Sequence, residues 1–142
     1  MKVSEWIERH PGLVAVIHAE ATLDELVDRI LENHCLQDIY VVSPEGRIIG
    51  HLSAKRIFHL LLIEHRPAHT RRQLMERVAR GNAQELMNHR VVHARPDEEL
   101  DDVIHRQLEH ELEDMPVLDA GGEQLGKVNI RKVLQEFRKT AA

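Results

Sequence analysis

The feature that most constrains the fold of this chain is an internal repeat. Residues 38–53 read as a short strand, a tight turn and a second strand, and residues 115–129 repeat that outline. Two glycines recur at the same spacing in both segments: Gly46 and Gly50, then Gly122 and Gly126. Such self-similarity predicts a fold assembled from two similar units.

The elements that flank each hairpin are also duplicated. A short apolar run and an amphipathic helix precede the hairpin, and a further helix follows it. The apolar runs are Leu13–Ile17 and Val91–Ala94, and the closing helices are Ala54–Ile63 and Ile130–Arg138. Each half therefore reads as strand, helix, strand, strand, helix.

The first helix of each half carries its own start signal. Thr22 and Glu25 form a capping box, and Pro96 with Asp97 opens the second copy. The two apolar stripes then match position by position: Leu23, Leu26, Val27 and Leu31 against Leu100, Val103, Ile104 and Leu108.

These elements predict an α+β fold of two β-α-β-β-α repeats. The first repeat spans residues 1–63, a linker with a short helix at Arg71–Arg80 spans 64–82, and the second repeat spans 83–142. One such repeat has too little core to be stable alone. We therefore expect the two repeats to pack sheet against sheet, with the sheets facing inward.

Both halves resemble a cystathionine-β-synthase (CBS) domain, and the whole chain resembles a tandem CBS pair, or Bateman module. The resemblance rests on Leu86-Met87, on Met115-Pro116-Val117-Leu118-Asp119, on the paired glycines and on the order of the duplicated elements. It implies pseudo-twofold packing of the repeats with two clefts between them. It also implies a dimer formed through helices, and adenine nucleotides or related adenosyl ligands in the clefts. Proteins of this type regulate an attached or partner protein and are not themselves catalysts.

The sequence departs from the family at its nucleotide signature. There, a Thr or Ser is followed three residues later by an Asp that accepts hydrogen bonds from both ribose hydroxyls. This chain has Ser53 followed by Arg56, and Asn129 followed by Lys132. Cations cannot accept those hydrogen bonds. Arg56 could instead bind a phosphate in bidentate fashion and Lys132 could offer a point charge, or both could be solvated residues at a helix start.

Three further residues complete the set of candidate ligand-binding residues that the resemblance implies. His93 ends a predicted strand beside the second cleft, where it could contact a base or phosphate or serve as a structural histidine. Tyr40 stands where the family often has proline and would close the first cleft or pack on the neighbouring strand. Pro116 occupies the corresponding position in the second repeat.

Composition excludes several functional classes. The formal net charge of −5 gives no basic footprint for nucleic acid, and no apolar run is long enough for membrane insertion. Cys35 is the only cysteine, which favours a reducing, cytoplasmic setting and a small buried side chain. His59, His65 and His69 lack the spacing of a zinc site, so we expect no metal. No nucleophile, phosphate loop or acid–base pair points to an enzyme.

Two functions remain open. The first is a regulatory module, homodimeric, that senses an adenine nucleotide such as AMP or ATP, or another anionic small molecule. The alternative is a ligand-free dimerisation or interaction module whose apolar helix faces contact a partner protein or a transporter.

Overall fold

The computed structural model describes residues 1–32, 37–61 and 81–141. Six helices and five strands lie within these ranges: α1 Val3–Arg9, β1 Val16–His18, α2 Leu23–Glu32, β2 Asp38–Val42, β3 Ile48–Ser53, α3 Ala54–Leu61, α4 Ala83–Leu86, α5 Leu100–Glu109, β4 Asp114–Leu118, β5 Gln124–Asn129 and α6 Ile130–Ala141. The predicted helix Arg71–Arg80 lies outside the described residues. Cys35, His65 and His69 also lie outside them.

The chain divides into two compact units. The central unit is Ala15–Arg90, and the terminal unit joins Met1–Val14 to Val91–Ala142. Helix α1 therefore belongs with the hairpin of the second repeat, and helix α4 belongs with the hairpin of the first. Each short helix thus packs in the same unit as the hairpin of the other repeat, an arrangement we call the exchange of short helices. No local sequence pattern predicts it.

The central unit contains a three-stranded sheet in the order β1-β2-β3. Strand β1 pairs parallel to β2, and β2 pairs antiparallel to β3 with a register shift between Val41 and Val42. Apolar side chains from the sheet and from α2, α3 and α4 form one buried cluster, which includes Leu26, Ile39 and Leu52. The predicted strand, helix, strand, strand, helix order is confirmed in this unit.

The terminal unit contains the antiparallel hairpin β4-β5, with the equivalent register shift between Val117 and Leu118. The predicted strand Val91–Ala94 is wrong in extent, because only Ala94 forms a bridge to the hairpin, parallel to Val117. In the central unit the backbone N–H of Tyr40 donates to the carbonyl of Ala15 at 2.9 Å. Pro116 occupies the position equivalent to Tyr40 and has no N–H to donate, so the corresponding bond is lost.

The start of α5 also differs from the prediction. The sequence places the helix start at Pro96 and Asp97, whereas α5 begins at Leu100. The carbonyls of Pro96 and Glu98 instead accept hydrogen bonds from the first N–H groups of α1, those of Ser4 and Val3, at 2.9 and 3.0 Å. These two carbonyls thus dock α1 onto the unit and satisfy N–H groups that a helix start otherwise leaves unpaired.

The recurring glycines have two distinct roles. Gly46 and Gly122 have φ of 84° and 88°, the left-handed region that the turn requires and that glycine enters without strain. Gly50 and Gly126 instead allow a helical segment to approach the hairpin closely. A Cβ on Gly50 would lie 2.0 Å from Sδ of Met87, and one on Gly126 would lie 2.8 Å from Cβ of Ile7.

Each unit has its own core. In the terminal unit Val3 and Trp6 of α1 are buried among residues of α5 and the hairpin, including Val103, Met115 and Val128. The ends of the two predicted apolar stripes are not covered, however: Leu31 on α2 is 68% exposed and Leu108 on α5 is 57% exposed.

Candidate ligand-binding cavity

An open cavity of about 320 Å³ lies within the terminal unit. It is lined by side chains from α1 and the residues that follow it, from β5 and from the first turn of α6: Trp6, Arg9, His10, Pro11, Lys127, Asn129 and Lys132. The volume is at the lower end of the range for small-molecule sites, which is about 300–1,000 Å³. Of the predicted site residues, the structure brings Asn129 and Lys132 together here.

Local structure explains why these side chains converge. Lys127 and Asn129 are two residues apart on β5, so both point to the same face of the hairpin. The side-chain oxygen of Asn129 accepts from the backbone N–H of Lys132 at 3.1 Å, which caps α6 and places Lys132 in its first turn. A further part of the lining comes from α1 and the residue that follows it, where the rings of Trp6 and His10 pack with centroids 4.1 Å apart and a tilt of 37°.

Asp114, at the start of β4, fixes two of the lining side chains. Its Oδ1 accepts from Nδ2 of Asn129 at 2.7 Å, and its Oδ2 lies 3.6 Å from Nζ of Lys127. Both polar atoms of the Asn129 amide are therefore already hydrogen-bonded, and the charge of Lys127 is partly offset.

The cavity is positively charged in a chain that is negative overall. Its lining includes the basic side chains of Arg9, Lys127 and Lys132, while the whole chain has a formal net charge of −5. Among the described residues, no carboxylate lines the cavity, although Asp114 lies 3.6 Å from the lining residue Lys127. Clustered charge of one sign in a concave site raises the local concentration of ligands of the opposite sign.

The equivalent residues of the central unit are arranged differently. Oγ of Ser53 accepts from the backbone N–H of Arg56 at 2.9 Å, so the helix cap is conserved between the repeats. Nε of Arg56, however, donates to the carbonyl of Leu86 at 2.8 Å, at the end of α4. Arg56 thus satisfies a carbonyl at the end of a helix, where a cation is also electrostatically favourable.

A carboxylate and a base face each other in both hairpins. In the terminal unit the pair is Asp114 and Lys127, and in the central unit Oδ1 of Asp38 lies 2.7 Å from Nε2 of His51. The ring of Tyr40 is fully buried and packs against the ring of His51 at a centroid distance of 4.8 Å. Tyr40 therefore lies in the core and packs on the neighbouring strand, one of the two roles expected for it.

His93 and Pro116 lie in the terminal unit but do not line the cavity. Pro116 is fully buried in β4, and Nδ1 of half-buried His93 lies 3.1 Å from the carbonyl of Val91. The carbonyl of His93 accepts from the guanidinium of Arg106 at 2.7 Å. The same guanidinium pairs with Glu98 and holds the pKa of that carboxyl below its usual value.

Sequence reasoning missed five of the seven lining residues: Trp6, Arg9, His10, Pro11 and Lys127. Lys127 had a readable signal, because it lies two positions before Asn129 on a predicted strand. The others come from α1 and the two residues that follow it, and their proximity to the second hairpin depends on the packing of α1 in the terminal unit.

The family model for the CBS domain matches residues 13–63 and 83–139. The chain therefore belongs to the CBS domain family and carries two copies of the domain. A search of curated proteins finds no match to the chain.

Solved structures share the fold of a tandem CBS pair. A CBS domain-containing protein from Thermotoga maritima has a TM-score of 0.77 at 23% identity, covering 98% of this chain and 95% of that one. CBSX2, solved in complex with AMP, has a TM-score of 0.74 at 16% identity, with coverage of 99% and 98%. The cytosolic domain of the Mg²⁺ channel MgtE, solved in complex with ATP, has a TM-score of 0.62 at 23% identity, and the match covers 86% of this chain but 44% of that one.

The described residues contain neither a helix that could span a membrane nor a cluster of metal-ligating side chains. None of the helices there has the length and apolar character needed to cross a bilayer. Within the same ranges, no group of three or more His, Cys, Asp or Glu side chains is placed to hold a metal ion.

Proposed function

We propose that this chain is a regulatory ligand-sensing module that binds an anionic small molecule, first of all an adenine nucleotide, in the cavity of the terminal unit. The observation that carries the proposal is the convergence of Arg9, Lys127 and Lys132 beside the Trp6–His10 pair. Cations suit phosphate groups, and an aromatic wall suits a base. The complexes of CBSX2 with AMP and of MgtE with ATP support the same ligand class.

The module acts by binding rather than by catalysis. A ligand changes the conformation or assembly of a protein only through its differential affinity for the alternative states. We place the module in the cytoplasm as a homodimer that passes this change to a partner protein or transporter. The MgtE relative is the cytosolic domain of a channel, which makes a transporter a reasonable partner.

Differential scanning fluorimetry with AMP, ADP and ATP tests the proposal. A ligand present at 100 times its Kd stabilises the folded state by about 2.7 kcal/mol, which gives a clear rise in Tm. The Lys132→Gln variant should lose about half of this rise, because a tenfold weaker Kd lowers the stabilisation to about 1.4 kcal/mol. Lys139→Gln makes the same charge change at the far end of α6 and should keep the rise in Tm, since Lys139 is exposed and its Nζ lies 3.3 Å from Oε1 of Glu136, away from the cavity. Absence of any rise at millimolar nucleotide would contradict the proposal.

The alternative is a ligand-free dimerisation or interaction module. It is favoured by large apolar side chains exposed on two helices: Phe58 on α3 is 59% exposed, and Leu134 and Phe137 on α6 are 61% and 70% exposed. Size-exclusion chromatography with light scattering tests this directly. A dimer that Phe137→Ser dissociates, in a protein that no nucleotide stabilises, would favour the alternative, and a monomer at all concentrations would refute it.

A further inference from the structure

The cavity offers hydrogen-bond donors almost exclusively. Arg9, Lys127 and Lys132 can only donate, and so can the indole of Trp6. The side-chain acceptors in the lining are few: Oδ1 of Asn129, which already accepts from the backbone of α6, and a ring nitrogen of His10. A site built from donors matches a ligand rich in acceptors, and phosphate oxygens are such acceptors.

A ribose is poorly matched to this lining. As hydrogen-bond donors, its two hydroxyls are best matched by a carboxylate, which the family supplies at the position of Lys132. An ammonium group at that position cannot accept, and Asp114, which already interacts with Asn129 and Lys127, is not one of the lining residues. The lining therefore offers no carboxylate that would distinguish a ribose from a deoxyribose.

We infer that this cavity recognises oligophosphates: it prefers ligands with two or three linked phosphates to monophosphates and does not discriminate ribose from deoxyribose. The inference rests on the proposed function and specifies its ligand class. A monophosphate carries a charge of about −2, and each further phosphate adds about one more negative charge. Three cations from three different elements can engage the longer chain at several points, whereas a monophosphate can satisfy only part of the set.

Titration calorimetry on the intact chain tests the inference with ATP, dATP, ADP, AMP, inorganic tripolyphosphate and 5′-methylthioadenosine. Each added phosphate should tighten Kd by about tenfold, equivalent to about 1.4 kcal/mol, and dATP should match ATP within about twofold. Tripolyphosphate shares the chemistry of ATP without its base. Binding of tripolyphosphate as tight as that of ATP would locate recognition wholly in the phosphates, and weaker binding would assign the difference to the Trp6–His10 wall.

Variants separate the roles of the residues. Lys132→Gln and Arg9→Gln should each weaken ATP binding by about tenfold, and the matched control Lys139→Gln should leave it unchanged. Lys132→Asp supplies the missing carboxylate, so it should weaken ATP binding and create a preference for ATP over dATP. Circular dichroism and Tm verify that each variant is folded, which is expected because Arg9 and Lys132 are exposed.

The outcomes are distinguishable from failure of the proposed function. If AMP binds as tightly as ATP, or if the wild type prefers ATP to dATP by more than about fivefold, nucleotide sensing stands and the oligophosphate inference is refuted. If 5′-methylthioadenosine binds and the phosphates do not, the inference also fails. If none of the six ligands binds the folded chain, the inference and the proposed function fail together.

Discussion

The close approach of Met87 to Gly50 makes a sharp prediction about stability. Strand β3 has no side chain at Gly50, and Met87, which follows α4, fills the space. A methyl group at position 50 would lie 2.0 Å from Sδ, 2.6 Å from Cγ and 3.0 Å from Cβ of Met87. Favourable carbon contacts lie at about 3.5–4.0 Å, so the added methyl overlaps two side-chain atoms. Met87 is 4% exposed and has little room to move away.

The magnitudes follow from overpacking and cavity formation. Gly50→Ala should destabilise the chain by about 1–3 kcal/mol, because Met87 must leave its position. Met87→Ala alone should cost about 2–5 kcal/mol through lost burial and a cavity. In the double variant the new methyl occupies part of that cavity and the overlap with Sδ and Cγ is gone. The double variant should therefore be about 1–2 kcal/mol more stable than the sum of the two single effects predicts.

Urea unfolding followed by far-UV circular dichroism measures all three variants. With a slope of about 1–3 kcal/mol per molar urea, Gly50→Ala should lower the midpoint by roughly 1 M. Gly121→Ala is the matched control, since a Cβ there meets only Oδ1 of Asp119 at 3.4 Å, and it should stay within about 0.5 kcal/mol of wild type. Strict additivity of the Gly50 and Met87 effects would refute the packing argument.

Three further predictions concern buried and capping groups. Gln107 is fully buried and donates to the backbone carbonyls of Glu113 and Val128 at 3.0 and 2.9 Å, so Gln107→Leu should cost about 1–3 kcal/mol through the loss of these two hydrogen bonds, which urea unfolding will measure. The Arg106 guanidinium lowers the pKa of Glu98 below its ordinary 4.5. The Tm of wild type should therefore exceed that of Glu98→Gln at pH 7, and the difference should vanish as the pH falls below 4.5 and through the lowered pKa. A difference in Tm that persists at pH 2 would contradict this. Thr22→Ala and Asn82→Ala each remove a side-chain oxygen that accepts a backbone N–H at a helix start, at 3.2 and 3.0 Å, and each should cost about 0.5–2 kcal/mol; a cost confined to one of them would show that the two caps are not equivalent.

The local parts of the fold were predictable because their signals are local. The turn glycines Gly46 and Gly122 adopt the backbone conformation that only glycine enters easily, and they mark both hairpins. The shortened strand at Ala94 could also have been read from the sequence, since Pro116 removes a donor from the adjacent strand. The predicted order of helices and strands is correct in the segments of each repeat whose turns and helix starts are marked by local turn and capping residues.

The cavity was only partly predictable because it depends on which hairpin α1 packs against. Asn129 and Lys132 follow from the duplicated end of the hairpin, and the cap between them is a local interaction. Arg9 and His10 enter the cavity only because α1 docks near Gly126, where Ile7 takes the space of a missing side chain. The contact between Ile7 and Gly126 joins residues far apart in sequence, and no local sequence pattern at either residue predicts the other.

Both repeats have a helix cap at the end of the hairpin, but the residue three positions after the capping residue has a different role in each repeat. In the central unit Arg56 donates through Nε to the carbonyl of Leu86, and a planar guanidinium suits such a directed bond. In the terminal unit Lys132, a flexible point charge, lines an open cavity with other cations. The same position thus stabilises a helix end in one repeat and lines the candidate cavity in the other. The missing carboxylate of the family signature therefore does not by itself argue against binding, because under our proposal Lys132 donates to a phosphate.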